Sequence, residues 1–197
     1  MSDRLVLPPP PLGDIKRSFV SRAGLKLEAA LLTFNLPVAG TTCADLGANV
    51  GGFTDCLLQH GASKVYAVDT GYGVLAWTLR KDPRVVVMER TNALHLHLPE
   101  KVHVAAVDVG WTRQAKILPV AATLLAESGH VLTLIKPHYE SEAARVQRGV
   151  LNESQSEAVL WEVIDAIIAM RWQVRGVMRS PIEGQKGNVE YVACLTR

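Results

Sequence analysis

Asp45-Leu46-Gly47-Ala48-Asn49-Val50-Gly51-Gly52-Phe53-Thr54-Asp55 is the stretch whose reading decides the fold of this chain. It follows a short strand, Thr42 to Asp45, and opens a helix from Phe53 to His60 that Gly61 stops. Strand, glycine-rich turn and helix is how an open α/β sheet builds a nucleotide-type site. The pattern Asp45-x-Gly47-x-x-x-Gly51-Gly52 is not the dinucleotide fingerprint G-x-G-x-x-G. Gly47 lets the chain leave the strand sharply, and Gly51 and Gly52 let backbone approach a ligand closely. An acidic residue at the strand end repels a pyrophosphate and attracts an ammonium group. S-adenosylmethionine has such a group on its amino acid end, a positive sulfonium and no phosphate. The loop predicts that cofactor, with Ala48, Asn49 and Phe53 among its contacts.

Working outward, strands and helices alternate. Lys64 to Asp69 carries the continuous apolar run Val65-Tyr66-Ala67-Val68, which suits a parallel strand covered on both faces. Val74 to Arg80 reads as a helix, Val85 to Met88 and Val102 to Val109 as strands, and Lys116 to Glu127 as a helix closed by Gly129. His130 to Ile135 is a further strand, Lys136 to Gly149 a polar loop, and Ser154 to Met170 a long amphipathic helix. Gln173 to Met178 and Asn188 to Leu195 are two last strands with no helix between them, so they pair antiparallel. Upstream, Ser21 caps a helix running to about Phe34. The predicted fold is α/β, a doubly wound and mostly parallel sheet with an antiparallel last strand. It differs from the dehydrogenase arrangement.

Composition narrows the function classes. The 197 residues are 48% hydrophobic with a net charge of +2, enough core for one domain and no global signature of a nucleic-acid binder. Residues 1–18 read as a proline-rich arm and residues 19–197 as the folded domain. Cys43, Cys56 and Cys194 fit no zinc or disulfide spacing and read as small buried hydrophobes in a reducing cytosol. With no signal peptide and no apolar run of about 20 residues, the expectation is a cytoplasmic protein that neither spans a membrane nor holds a metal.

The candidate chemistry lies at strand ends, where open α/β sheets place ligands. Asp69 ends the second strand and is placed to take the two ribose hydroxyls of an adenosine. Asn92 follows the third strand, where an amide can pair with an adenine edge. Asp108, Lys136 and Glu190 each fall at or near the end of an apolar strand, and Lys26 lies on the helix before the glycine loop. Singly, each is more often a solvated charge; together they suggest a shared proton-handling site. A ribose hydroxyl needs a base, and a lysine serves when burial and a second ammonium lower its proton affinity. Trp111, close after Asp108, can stack on a base, whereas Trp77, Trp161 and Trp172 read as core. Lys16, Arg17 and Arg22 form a small basic cluster, either a phosphate contact or a solvated helix start. His95 and His97 alternate without a third ligand.

Several segments, in order, carry a resemblance to a known family: Phe19-Val20-Ser21-Arg22-Ala23-Gly24-Leu25-Lys26-Leu27, Asp45 to Leu58, Val68 to Trp77, Asp82 to Asn92, Leu134-Ile135-Lys136-Pro137 and Gly187-Asn188-Val189-Glu190-Tyr191. They resemble the hemolysin-type (TlyA-like) ribosomal RNA 2′-O-methyltransferases, a branch of the FtsJ-like ribose methyltransferases. The resemblance implies a Rossmann-like methyltransferase sheet and S-adenosylmethionine as cofactor. It implies a Lys-Asp-Lys-Glu tetrad at Lys26, Asp108, Lys136 and Glu190, with Lys136 central. It maps the ligand loop onto Asp45 to Thr54 and the ribose-binding acid onto Asp69. The implied substrate is RNA or a ribosomal particle. The family usually carries an S4-type RNA-binding domain where this sequence has the arm, so docking is expected to draw on a folded ribosomal particle or on a partner protein in its place. The segment Val109-Gly110-Trp111-Thr112 also departs from the usual Ser-Phe pattern. Two other readings stand beside this one: a methyltransferase on a small or non-RNA acceptor, and a non-catalytic RNA-binding or assembly factor.

Overall fold

The computed structural model describes residues 5–11, 13, 18–141 and 149–197. Its strands are β1 (Val6–Leu7), β2 (Thr42–Leu46), β3 (Lys64–Val68), β4 (Val85–Met88), β5 (Val102–Val107), β6 (Leu125–Ile135), β7 (Gln173–Arg179) and β8 (Tyr191–Thr196). Its helices are α1 (Ala23–Thr33), α2 (Gly52–Gln59), α3 (Trp77–Arg80), α4 (Gln114–Leu124), α5 (Pro137–Glu140) and α6 (Glu153–Ala169). One sheet runs in the order β1-β7-β8-β6-β5-β2-β3-β4. Its pairs are parallel except at β8, which lies antiparallel between β6 and β7. From β2 the chain builds outward through β3 and β4, then returns to lay β5 on the other flank of β2. That reversal leaves a crevice at the carboxyl ends of β2 and β5, the switch point where such sheets bind ligands.

Alternation along the strands fills two cores. Cys43, Val65, Ala67, Val104 and Ala106 face α1, α2 and α3, where they meet Leu27, Leu31, Leu57 and Leu79. Ala44, Tyr66, Val68, Ala105 and Val107 face α4 and α6, where they meet Ile117, Leu118, Leu160 and Ile164. A strand covered on both faces needs apolar residues at successive positions, which is why these runs look continuous in the sequence.

Several local expectations change: Arg22, not Ser21, is the N-cap of α1 and makes no side-chain cap bond, and the helix expected from Val74 starts at Trp77. The helix expected to reach Glu127 ends at Leu124, and Leu125 to Glu127 start the long β6. Val6 and Leu7 of the expected arm pair with Val177 and Met178 at the sheet edge, because β7 has a free side there. The polar loop after Ile135 begins with a helical turn, α5, seeded by Pro137 at its first position; residues 142–148 lie outside the described residues. The last strand, expected from Asn188, begins at Tyr191, so Glu190 precedes β8, although its carbonyl still accepts from Ser180 N at 2.8 Å.

The glycine loop is held by backbone. Gly47 N and Ala48 N both donate to Val68 O, and Asp108 N donates to Leu46 O at 2.9 Å. Gly47 has φ +96°, and a Cβ there would lie 2.5 Å from the Asp108 carbonyl oxygen, so only glycine fits. Gly51, at φ +104°, has a different purpose from the one expected. A Cβ on it would meet Leu79 Cδ1 at 2.3 Å and Leu75 Cδ1 at 2.8 Å, so its bareness admits apolar packing rather than a ligand.

Asp45 is also corrected. It is buried, and its Oδ2 accepts from Thr54 N at 2.8 Å and Thr54 Oγ1 at 2.7 Å. Gly51, the N-cap of α2, has no side chain, so a carboxylate from β2 caps the helix instead. These bonds engage Oδ2, while Oδ1 is buried with no hydrogen-bond partner among the described residues.

Burial, reinforced by the nearby charges of Asp108 and Asp69 and opposed by the Thr54 bonds, pushes the Asp45 carboxyl up from 3.8 to about 7. A carboxyl raised in the folded state costs stability as pH climbs. The folded chain holds the proton while the unfolded chain releases it, so stability is lost from about 4 and the loss levels off above about 7. Asp45→Asn, which cannot ionise, is expected to gain stability relative to the parent across that window and to run parallel to it above. Urea midpoints measured from pH 4 to 8 check this; a constant difference at every pH contradicts it.

Candidate active site

A cleft of about 620 Å³ opens at the switch point. That is the size range of small-molecule and cofactor sites. One wall is the glycine loop, with Gly47, Ala48, Asn49, Gly52 and Phe53 lining the space. Asp45 and Gly51, expected there, stand behind that wall for the reasons given above. Gly52 lets α1 and α2 start close together: a Cβ on it would lie 2.3 Å from Ser21 Oγ and 2.9 Å from Gly24 N.

Asp69 lines the cleft at the end of β3. Its Oδ2 accepts from Asn49 N at 2.8 Å and its Oδ1 from Gly71 N at 2.7 Å. Each carboxylate oxygen keeps a lone pair for a further donor, so the carboxylate is oriented and still able to take two hydroxyls. Asn92 also lines the cleft. Its Oδ1 accepts from Leu94 N at 3.0 Å and caps the short turn Ala93–His95, so a structural role accompanies any ligand contact.

The four residues of the expected tetrad all line this one cleft. They form two ion pairs. Lys26 Nζ of α1 binds Glu190 Oε2, and both side chains are buried. Lys136 Nζ binds Asp108 Oδ1 at 2.5 Å and donates to Val109 O at 3.4 Å. Burying a charge without a partner costs several kcal/mol, roughly, so each carboxylate is a condition for keeping its lysine in this site. Glu190 has room because Gly184 lies opposite, where a Cβ would fall 2.2 Å from Glu190 Oε1. The loop that carries both is tied down by Gly184 N to Asn188 O at 2.9 Å and by Asn188 Nδ2 to Gly149 O at 2.9 Å.

Aromatic residues line the cleft beside Lys136. Trp111 is 85% exposed and lies with its ring 5.7 Å from that of Tyr139. Its φ of +52° is a left-handed conformation that costs a bulky residue about 1–3 kcal/mol. Lys136 Nζ stands 5.8 Å from the centre of the Tyr139 ring. Neither Tyr139 nor His138 was singled out in the sequence, because both sit in what reads as a polar loop. His138 lines the cleft, and its buried Nδ1 has no hydrogen-bond partner among the described residues. Burial first, and the Lys136 charge second, push its imidazole below the ordinary histidine range.

Trp77, expected in the core, is 67% exposed with Lys81 Nζ 4.9 Å over its ring. Trp172 is buried and Trp161 packs against the same core. Arg22 lines the cleft; Lys16 and Arg17 lie outside the described residues. His95 and His97 are exposed, and His97 Nδ1 contacts His95 O at 3.2 Å. No helix among the described residues is long and apolar enough to cross a membrane.

Comparison with known proteins agrees with this geometry. The sequence pattern of the FtsJ-like methyltransferases matches residues 19–197. The chain is 41% identical over 188 residues to the 16S/23S rRNA (cytidine-2'-O)-methyltransferase TlyA of Mycobacterium tuberculosis, covering 92% of this chain and 70% of that protein. It is 41% identical over 181 residues to Hemolysin A of Brachyspira hyodysenteriae, covering 89% and 75% respectively. A solved structure from Streptococcus thermophilus, described as a candidate hemolysin, superposes with a TM-score of 0.87 at 40% identity, covering 91% of this chain and 67% of the other. By sequence and by fold, this chain belongs to the FtsJ-like methyltransferase family.

Proposed function

We propose that this methyltransferase carries a methyl group from S-adenosylmethionine to a ribose 2′-hydroxyl of RNA, with ribosomal RNA or a ribosomal particle as the substrate class. The observation that supports this reading most is the meeting of both lysine–carboxylate pairs with Asp69 in a single cleft. A non-catalytic binder has no need of a buried and a half-buried lysine, each paired with a carboxylate, in one cleft.

The residues fit the cofactor. Asp69, already oriented by two loop amides, is placed for the ribose hydroxyls, and Asn92, Ala93 and Leu94 flank a slot for the base. Gly47, Ala48 and Asn49 bring backbone to the amino acid end. When bound, the cofactor supplies an electrophilic methyl on a positive sulfur. The remaining chemistry belongs to the chain. A hydroxyl becomes an effective nucleophile as its proton leaves, and the Lys136 amine in its neutral form is the acceptor. Asp108 orients that amine and stabilises the ammonium that forms on it. The Lys26–Glu190 pair adds an electrically balanced wall beside it. Trp111 offers a flat exposed face for the base attached to that ribose, held in a left-handed backbone conformation.

Three outcomes are expected. Asp69→Ala weakens S-adenosylmethionine by about 1.5–3 kcal/mol, the usual loss for a charged hydrogen bond, measured by calorimetry; unchanged affinity places the ribose elsewhere. Lys136→Ala abolishes single-turnover methyl transfer while cofactor affinity stays close to the parent's. Lys136→Arg fares little better, since a guanidinium stays protonated. Near-normal rates in either variant end the case for Lys136 as the base. Trp111→Ala raises KM for an RNA substrate by roughly 5–150-fold, the about 1–3 kcal/mol of a stacked base, with cofactor affinity unmoved. If KM holds and only kcat falls, the ring positions Lys136 through Tyr139 instead of binding the base.

A further inference from the structure

We propose that Glu28, Cys56 and His60 form a binding site for a zinc-class divalent transition metal, at the contact between α1 and α2 and outside the catalytic cleft. Each residue offers one ligand atom, and the three atoms lie within 4.8 Å of one another. Cys56 and His60 are four residues apart, at the end of α2 and on its C-cap, so both point to one side. Glu28 meets them from α1. Glu28 and Cys56 are buried, and His60 forms the outer edge. Thiol, imidazole and carboxylate are the three donor types that zinc takes, and three protein ligands leave a fourth position of a tetrahedron open.

The surroundings favour occupation. His60 also lines a shallow groove with Leu31, Leu32, Asn35, Leu36 and Pro37, which gives an ion a path from solvent. His60 Nε2 contacts Glu28 Oε2, and Cys56 Sγ donates to the same oxygen at 3.7 Å. Metal binding exchanges these hydrogen bonds for three metal–ligand bonds. The Cys56 thiol releases its proton to solvent, His60 binds as neutral imidazole, and Glu28 binds as carboxylate. Two negative ligands then balance a doubly positive ion, which leaves no net charge in a buried place. The expectation of no metal came from cysteine spacing and from the lone pair His95 and His97, and neither takes in a glutamate 28 residues upstream of Cys56. Glu28 lies two residues beyond Lys26 on the same helix, so an ion here would brace the element that carries one of the cleft lysines.

The test uses the full chain stripped with chelator and titrated with Co²⁺, then with Zn²⁺. The expected result is one equivalent of Co²⁺ bound, a thiolate-to-cobalt charge-transfer band with the visible bands of four-coordinate cobalt, and loss of both as Zn²⁺ displaces it. Saturating Zn²⁺ raises Tm, as any ligand bound to the native state does. Cys56→Ser removes the charge-transfer band, and His60→Asn weakens binding at least tenfold. Folded parent protein with no charge-transfer band overturns the proposal. So does a band that survives Cys56→Ser, because the thiolate is then Cys43 or Cys194. If Cys56→Ser fails to fold, the partly exposed His60→Asn decides alone, and an unchanged cobalt spectrum in it overturns the site.

Discussion

The closeness of β2 and β5 at their carboxyl ends sets the geometry of everything at the cleft. Gly47 is where the two strands diverge, and the Asp108 carbonyl fills the place its Cβ would take. That contact puts the glycine loop directly beside Asp108, the carboxylate that holds Lys136. A residue with a side chain at position 47 would have to open the crevice from its floor, separating the expected cofactor loop from the expected base. Asp45 completes the arrangement from beneath by capping α2 across the turn. Strand end, loop and helix start therefore move as one unit, which suits a site whose chemistry depends on distances held to fractions of an ångström.

The same logic governs the lysines. Lys26 and Glu190 are 164 residues apart in the chain, and their contact joins α1 to the loop before β8. Lys136 and Asp108 join the ends of two adjacent parallel strands, β6 and β5. Buried ion pairs contribute little net stability, because desolvation offsets the Coulomb attraction. One buried pair, Lys26–Glu190, and one half-buried pair, Lys136–Asp108, lining a single cleft are hard to explain by folding alone. Both pairs line one cofactor-sized cleft in a methyltransferase fold, and the exposed Trp111 lines it too, with its ring against Tyr139.

Much of this was legible in the sequence. Continuous apolar runs such as Val65-Tyr66-Ala67-Val68 and the punctuating glycines identified a parallel sheet covered on both faces, since each such strand must satisfy two cores. The four charged residues were recognisable because they stand at strand ends or on the helix before the loop, and all four do meet. Less legible were features that depend on what lies opposite. Gly51 and Gly47 look alike in the chain, yet one accommodates leucine side chains and the other a backbone carbonyl. Asp45 looked like a ligand contact because the orphan amide it caps, Thr54 N, cannot be seen from spacing. His138 and Tyr139 looked like loop residues, and Trp77 like core, because exposure is decided by packing.

By itself, then, the sequence determined the elements, their alternation, the glycine turn and the set of residues able to handle a proton. Those follow from local periodicity and backbone preference, which act over a few neighbouring residues. Only the tertiary structure decided the pairing of Lys26 with Glu190 and of Lys136 with Asp108, the withdrawal of Asp45 behind the cleft wall, and the meeting of Glu28 with Cys56 and His60. The physical reason is that electrostatics and desolvation depend on distance in space. Those distances come into being when the sheet reverses at β2 and inserts β8 antiparallel between β6 and β7.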